Sequence, residues 1–370
     1  MDKIIFGGTI SKQISFALQQ NYVPIFRDIT LTNNTDKEMR DVKLRITFEP
    51  AFAAPFTADV GDIPPKRSAA VSTVNIVLSA DYLFGLTEKL VGNVTFEAVI
   101  GGEVIAVSHE NIELLAYDQW TGTSSLPETI AAFITPNHPK IAEIVSSASM
   151  YLKKWCGDPS FSGYQLHSAN MVKMQMAAIY AALQEQNIAY TAPPASYETA
   201  QRVRMPDCVI ERKSGTCLDL ALLYCACLEY ADLNPLLFII KGHAFAGCWL
   251  EEESFPDCIQ YDLTAITKRA AKGVDAICAV ECTDFVAGKK VNFEDARLNA
   301  ENKFNSSEDF LFAVDIRRTR AGGIRPIPSR ISENGAFKAA DYGKRKNSEI
   351  TGAPDSIDSV GTIQLNVSNS

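Results

Sequence analysis

The sequence predicts an α+β chain with two structured domains, and three observations carry that prediction. Residues 1–118 read as short runs of alternating apolar and polar residues separated by turn signals. Residues 119–321 change to helical spacing and include one long apolar helix followed at once by a β-branched strand. From residue 322 to 370 the chain turns polar and rich in Gly and Ser, which predicts a flexible tail or linker. At 46% apolar and 21% charged over 370 residues, the composition is that of a globular protein able to bury a core.

The N-terminal strands are expected in "VPIFRDITLTNN", "DVKLRITFEP", "SAAVSTVNIVLS", "GNVTFEAVI" and "EVIAVSHENIELLAY", with breaks at "NNTD", "GDIPP" and "GG". Spacings of about ten residues suggest a β-sandwich. The Cys…Trp…Cys pattern of antibody domains is absent, so the sandwich is Ig-like in architecture only, and such a fold names no function by itself. Past "YDQWTGTSSLPETIAAFITPNHPK", two helices are expected in "KIAEIVSSASMYLKKWCG" and "SANMVKMQMAAIYAALQEQ"; in the first, Ile141, Ile144, Val145, Ala148 and Tyr151 follow the i, i+3, i+4 rhythm. "TAPPAS" breaks the chain. A helix from Cys217 to about Asp232 is apolar on nearly every face, the mark of a buried central helix. The strands "LLFIIKG", "HAFAGCWL", "AICAVEC" and "FLFAVDIRR" follow, with a charged insert that contains the amphipathic stretch "LTAITKRAAKG".

Several function classes are disfavoured. A net charge of −9 and a pI near 5.1 argue against a nucleic-acid surface built on bulk positive charge; the basic residues of the tail read as solvated linker. No run of about 18 apolar residues suggests a membrane span, and "MDKIIFGGTISKQ" lacks the basic start, apolar core and cleavage site of a signal peptide, so a cytoplasmic chain is expected. The nine cysteines are odd in number, several lie in apolar runs, and no CxxC pair occurs, which fits thiols in a reducing compartment. His109, His138 and His167 lack metal-ligand spacing; no metal and no cofactor is expected.

The chemistry concentrates in "SGTCLDLALLYCACLEYADLNPLLFIIKGHAFAGCWL". Cys217 stands in the first turn of the central helix, where unpaired N–H groups and the helix dipole favour a thiolate. A helix of about 16 residues runs roughly 24 Å, and the seven-residue strand after it returns roughly 23 Å. His243 is therefore carried back to the level of Cys217. If the next strand pairs so that Leu250 lies near Ala276, Glu281 falls opposite the start of the His243 strand and is the candidate to orient the imidazole. Asp262 is the alternative acid. Thiol, base and acid make a nucleophilic triad, and the Cys217 N–H supplies part of an oxyanion hole. Gln165 and Gln201 are candidate oxyanion donors, although ordinary polar contacts are the commoner fate of such residues. Arg202 and Arg204 are expected to pair with acids or line a cleft. Trp249 shares strand parity with His243 and is a candidate cleft wall, with core packing the commoner reading. A single Cys on a buried helix is usually a small core residue, and a lone His beside a strand is usually structural. The combination carries more weight than either.

These same residues resemble the transglutaminase-like superfamily, whose pattern is Cys at a helix start, His on one strand and Asp on the next. The resemblance implies a papain/transglutaminase-like domain, with Cys on a central helix packed against an antiparallel sheet. It also implies Cys217, His243 and Glu281 as catalytic residues. The family's Asp usually sits in a V-D-P-T-like stretch; here that stretch is Val280-Glu281-Cys282-Thr283, with Glu in its place. More narrowly, "RDITLTNNT", "LLAYDQWTG", "LPETIAAFITPNHP", "YTAPPASYETAQRVRMPD" and "IRPIPSR" resemble the N-terminal region of large bacterial helicase-type proteins, over residues 20–330 or so. That resemblance implies an antiphage-defence setting, a helicase or nuclease component as partner, and a fragment or stand-alone relative. GxxxxGK[ST] is absent, so no ATPase belongs to this chain. The function expected is a cysteine protease acting on a protein or peptide. Crosslinking by acyl transfer uses the same acyl-enzyme. The alternative is a catalytically silent peptide-binding or scaffold module.

Overall fold

A computed structural model describes residues 3–71, 74–192, 200–306, 308–333 and 335–340, and within them the chain is mixed α+β. The N-terminal third forms two main sheets. One has three strands in the order Ile4–Ile10, Phe26–Asn33, Ser68–Ala70. The other has five, in the order Gln13–Ile14, Glu103–Leu114, Leu90–Ile100, Met39–Glu49, Phe56–Ile63. The period-two pattern does the sorting: Val42, Leu44 and Ile46 are fully buried while Lys43 between them is exposed. Phe6 and Phe26 from the first sheet meet Phe96 from the second, so the two share one apolar layer. Gly101 and Gly102 take φ of 58° and 87°, the left-handed pair that a two-residue hairpin between twisted strands requires.

Three details differ from the sequence expectation. The strands Ile4–Ile10 and Phe56–Ile63 were not among those expected, and the described residues of "SAAVSTVNIVLS" supply only Ser68–Ala70 and an isolated bridge between Ala53 and Leu78.

The second half centres on the Cys217–Tyr230 helix, whose residues from Cys217 to Leu228 are all buried. It packs against the helices Pro139–Cys156 and Ala169–Gln184 on one side and against a five-stranded sheet on the other. That sheet is antiparallel throughout, in the order Ile259–Gln260, Phe310–Asp315, Pro235–Ile240, His243–Trp249, Ile277–Val280. In the Pro139–Cys156 helix the buried stripe is Ile141, Ile144, Val145, Ala148 and Leu152, whereas Tyr151 lies at the margin and bonds Glu185. "FLFAVDIRR" is strand only to Asp315, which caps the helix Ile316–Ala321 by accepting from Arg318 N. An unexpected helix, Phe293–Lys303, covers the outer Ile277–Val280 strand.

The flexible tail expected from residue 322 needs correction in its first part. Ile327 is buried, and the hairpin Arg330–Glu333/Ala336–Ala339 docks through Arg330. The Arg330 guanidinium lies 4.5 Å from the Tyr117 ring centre and 4.1 Å from that of Phe337, and its Nη1 donates to the Phe84 and Leu86 carbonyls. Residues 341–370 of the expected tail lie outside the described residues. Among those described, no helix is long and apolar enough to cross a membrane, and none of the nine cysteines is in a disulfide.

Candidate active site

The start of the central helix is tightly specified. Thr216 is its N-cap: Oγ1 accepts from Asp219 N at 3.3 Å, and Asp219 Oδ2 accepts from Thr216 N at 2.9 Å. This reciprocal capping satisfies two backbone donors that a helix otherwise leaves open. Asp219 is almost fully buried and also accepts from Arg204 N and Arg204 Nη1, so its charge is paired where water cannot reach it. Cys217 is therefore the first helical residue, and it has no exposed surface.

The chain then returns as its residue types dictate. Pro235–Ile240 is a wholly buried strand, and Lys241-Gly242 reverses it, with Gly242 at φ 70°, a conformation glycine adopts without steric cost. His243 is the residue after that turn and the first of its strand. Its ring stacks on Phe245 at 6.1 Å and hydrogen-bonds the thiol of Cys217. Its Nε2 lies 2.8 Å from Glu281 Oε2, which leaves Nδ1 as the ring nitrogen for the thiol. Leu250 N donates to Ala276 O at 2.8 Å, and the register that follows puts Glu281 one step beyond the Ala246–Val280 pair. Glu281 is 3% exposed; its other oxygen, Oε1, accepts from Thr283 N at 2.9 Å and from Thr283 Oγ1 at 2.8 Å.

The electrostatics follow from these contacts. Burial alone would lower the His243 pKa, but its hydrogen bonds with Cys217 and Glu281 outweigh burial and raise it to about 9. Burial pushes Glu281 upward, and the bonds from His243 and Thr283 prevail, holding it below the usual carboxylate range. Lys303 Nζ lies 3.6 Å from Glu281 Oε2 and adds a second positive charge.

The other sequence candidates are not gathered here. Asp262 is an exposed helix N-cap that accepts from Thr264 N; it follows the far edge strand, three strands and about 14 Å across the sheet from His243. Gln165 is exposed and lies in a cavity with Glu229 and Asn234, at the other end of a central helix about 21 Å long. Trp249 has the parity expected, but it is six residues and about 20 Å along the strand from His243. It is buried against Phe255, and its Nε1 donates to Asp315. Gln201 is buried in the short ladder with Trp120, and its amide has no hydrogen-bond partner among the described residues. Arg202 pairs with Glu88 and Asp118, and Arg204 with Asp219. No group of three or more His, Cys, Asp or Glu side chains suited to a metal occurs among the described residues.

One neighbour of the thiol was missed. Tyr190 pairs with Gly215 in a two-residue parallel ladder, and its hydroxyl hydrogen-bonds Cys217. Burial first, and then the thiol, push the Tyr190 phenol pKa up. A lone Tyr beside a Pro-rich break gives no local signal that it will meet a Cys 27 positions on.

Comparison with known proteins adds little. No protein-family model and no curated protein matches the chain. Among solved structures, one from Parabacteroides distasonis, provisionally assigned as a protease, is similar at 14% identity and a TM-score of 0.21, over 60% of this chain and 41% of that one. A family 76 glycoside hydrolase from a bovine Bacteroides thetaiotaomicron strain gives 9% identity and a TM-score of 0.17, over 62% and 50%. The chain thus spans half or less of either structure, and likeness at that level carries no argument about fold or activity.

Proposed function

We propose that this chain is a transglutaminase-like thiol enzyme, acting as a cysteine protease through Cys217, His243 and Glu281. The observation that supports the reading is the continuous contact from a thiol at a helix N-terminus, through one imidazole, to a buried carboxylate. In this reading residues 1–118 are an Ig-like sandwich domain and 119–321 the catalytic domain.

The chemistry follows in two steps. The Cys217 thiolate attacks the substrate carbonyl carbon, forming a C–S bond, while His243 holds the proton on Nδ1. As the tetrahedral adduct collapses, that proton passes to the departing amine and the C–N bond breaks. Water then gives a proton to His243 and its oxygen to the thioester; the carboxylic acid leaves and the thiol is restored. Glu281 keeps the ring oriented and its cation stable. The Cys217 N–H, in the first turn of the helix, faces the developing oxyanion. A lysine amine in place of water would give crosslinking.

One observation favours a second reading, a silent peptide-binding module: Cys217 is entirely covered. Alkylation by iodoacetamide, resolved by site with mass spectrometry between pH 5 and 9, separates the two. The enzyme reading expects Cys217 to react at neutral pH faster than the exposed Cys156, with an apparent pKa well below 8.5, and to slow strongly in His243→Ala. A Cys217 rate no faster than Cys156, and unchanged by the substitution, would leave only the binding module.

A further inference from the structure

A cavity of about 580 Å³ lies where residues 117–118, the 202–216 segment and the docked C-terminal hairpin come together. Its wall includes Thr216, the cap residue that precedes Cys217 in the chain, while Cys217, His243 and Glu281 do not line it. Four guanidinium groups line it, those of Arg202, Arg204, Arg212 and Arg330, against the carboxylates of Asp118 and Asp207. Arg202 and Arg204 are neutralised by Glu88, Asp118 and Asp219. Arg212 and Arg330 have no carboxylate within ion-pair distance among the described residues.

Arg330 is the telling case. It is half-buried between two aromatic rings, and of its donors only Nη1 is engaged, by two backbone carbonyls. Burial disfavours its charge, the Asp118 carboxylate offsets that only in part from beyond ion-pair distance, and a bound anion would add a direct partner. Planar guanidinium groups with free donors match carboxylate oxygens in two-point geometry. The rings of Tyr117 and Phe337 offer apolar surface to the stem of a side chain.

We propose that this cavity is a substrate subsite for an acidic peptide segment, whose Glu or Asp side chain is held by Arg330 and Arg212 while the neighbouring amide lies at Cys217. The assignment rests on the thiol-enzyme reading for its geometry, but binding tests it without turnover. The full chain carrying Cys217→Ala is titrated against fluorescein-labelled hexaglutamate, with a Gly-Ser hexapeptide as the neutral control and fluorescence anisotropy as the readout. Hexaglutamate should bind and the neutral peptide should not. Binding should weaken about tenfold or more in Arg212→Glu, and again in Arg330→Gln. Arg212 is exposed and makes no hydrogen bond among the described residues, so its substitution leaves the fold intact even if Arg330→Gln loosens the hairpin. Hexaglutamate binding no better than the neutral peptide, or binding indifferent to Arg212→Glu, overturns the proposal. So does binding of inorganic tripolyphosphate in the absence of hexaglutamate binding, which would make the cavity a phosphate site. Thiol labelling of the wild type is unaffected by any of these outcomes and reports separately on the enzyme reading.

Discussion

At the scale of single residues, His243 sets the behaviour with pH. Its folded pKa of about 9 stands above the ordinary 6.5, so the protonated ring favours the folded chain. That contribution is whole below pH 6.5 and disappears as the pH rises through about 9. The melting-temperature gap between wild type and His243→Gln should therefore shrink across that window; a gap that stays constant would contradict the assigned contacts. The same titration removes the proton needed by the leaving amine, so cleavage of a peptide substrate should fall off on the alkaline side near pH 9. Tyr190 acts in the opposite sense. Its hydroxyl occupies the thiol and so competes with an incoming electrophile. Tyr190→Phe keeps the ring and deletes the bond, and alkylation of Cys217 should quicken between about two- and tenfold, the worth of one ordinary hydrogen bond. Labelling of Cys156 in the same sample should not change.

At the scale of elements, the strand His243–Trp249 is the piece on which the site depends, and Gly247 is its least replaceable member. A Cβ there would meet Phe238 Cε2 at 2.6 Å, the Cys278 carbonyl oxygen at 2.7 Å and Ala279 Cα at 3.2 Å. Two of those three atoms are backbone of the paired Ile277–Val280 strand, so no side-chain adjustment relieves the clash. Gly247→Ala should cost about 1–3 kcal/mol by chemical denaturation. It should also slow Cys217 alkylation, because the displaced strand leads into Glu281. This helix–strand–strand path was legible in the sequence because each piece is uniformly apolar and bounded by clear turn residues. The same logic fails where burial uses small or charged side chains. The Phe293–Lys303 helix buries only Ala296 and Ala300, its Leu298 is exposed, and most of its other residues are polar, so no apolar stripe announced it. The strand Phe56–Ile63 buries only its last residue fully. Trp249 has the predicted parity, yet the face it shares with Phe245 packs into a separate apolar cluster with Phe255 and Phe304, and Trp249 stands at the end of the strand far from His243. Parity fixes a face, and distance along the strand decides what that face meets.

At the scale of the whole molecule, the docked segment after residue 322 ties the second half of the chain back to the N-terminal part. Arg325 N donates to Asn21 Oδ1, and its Nη2 donates to the Gln20 carbonyl. Tyr117 hydrogen-bonds the Pro328 carbonyl, and Ile327 N donates to Ala132 O. Nearby, Arg320 links Glu229, at the end of the central helix, to the carbonyls of Ala131 and Ile134. A composition of Gly, Pro and Arg concealed all this, because one buried Ile and one arginine between two rings do the anchoring. Their worth is sizeable: about 1.5–3 kcal/mol for burying Ile327 and about 1–2 kcal/mol for the stacked guanidinium. A chain ending at Gly323 should therefore melt several degrees below one ending at Ala340. The two truncations also separate architecture from chemistry. The hairpin supplies Arg330 and Phe337 to the cavity but nothing to the Cys217–His243–Glu281 contacts. Below the melting transition, the chain ending at Gly323 should thus keep its Cys217 alkylation rate while losing affinity for hexaglutamate. Loss of both together would mean that the hairpin holds the thiol array itself in place, and the cavity would then be part of the catalytic geometry rather than an adjoining subsite.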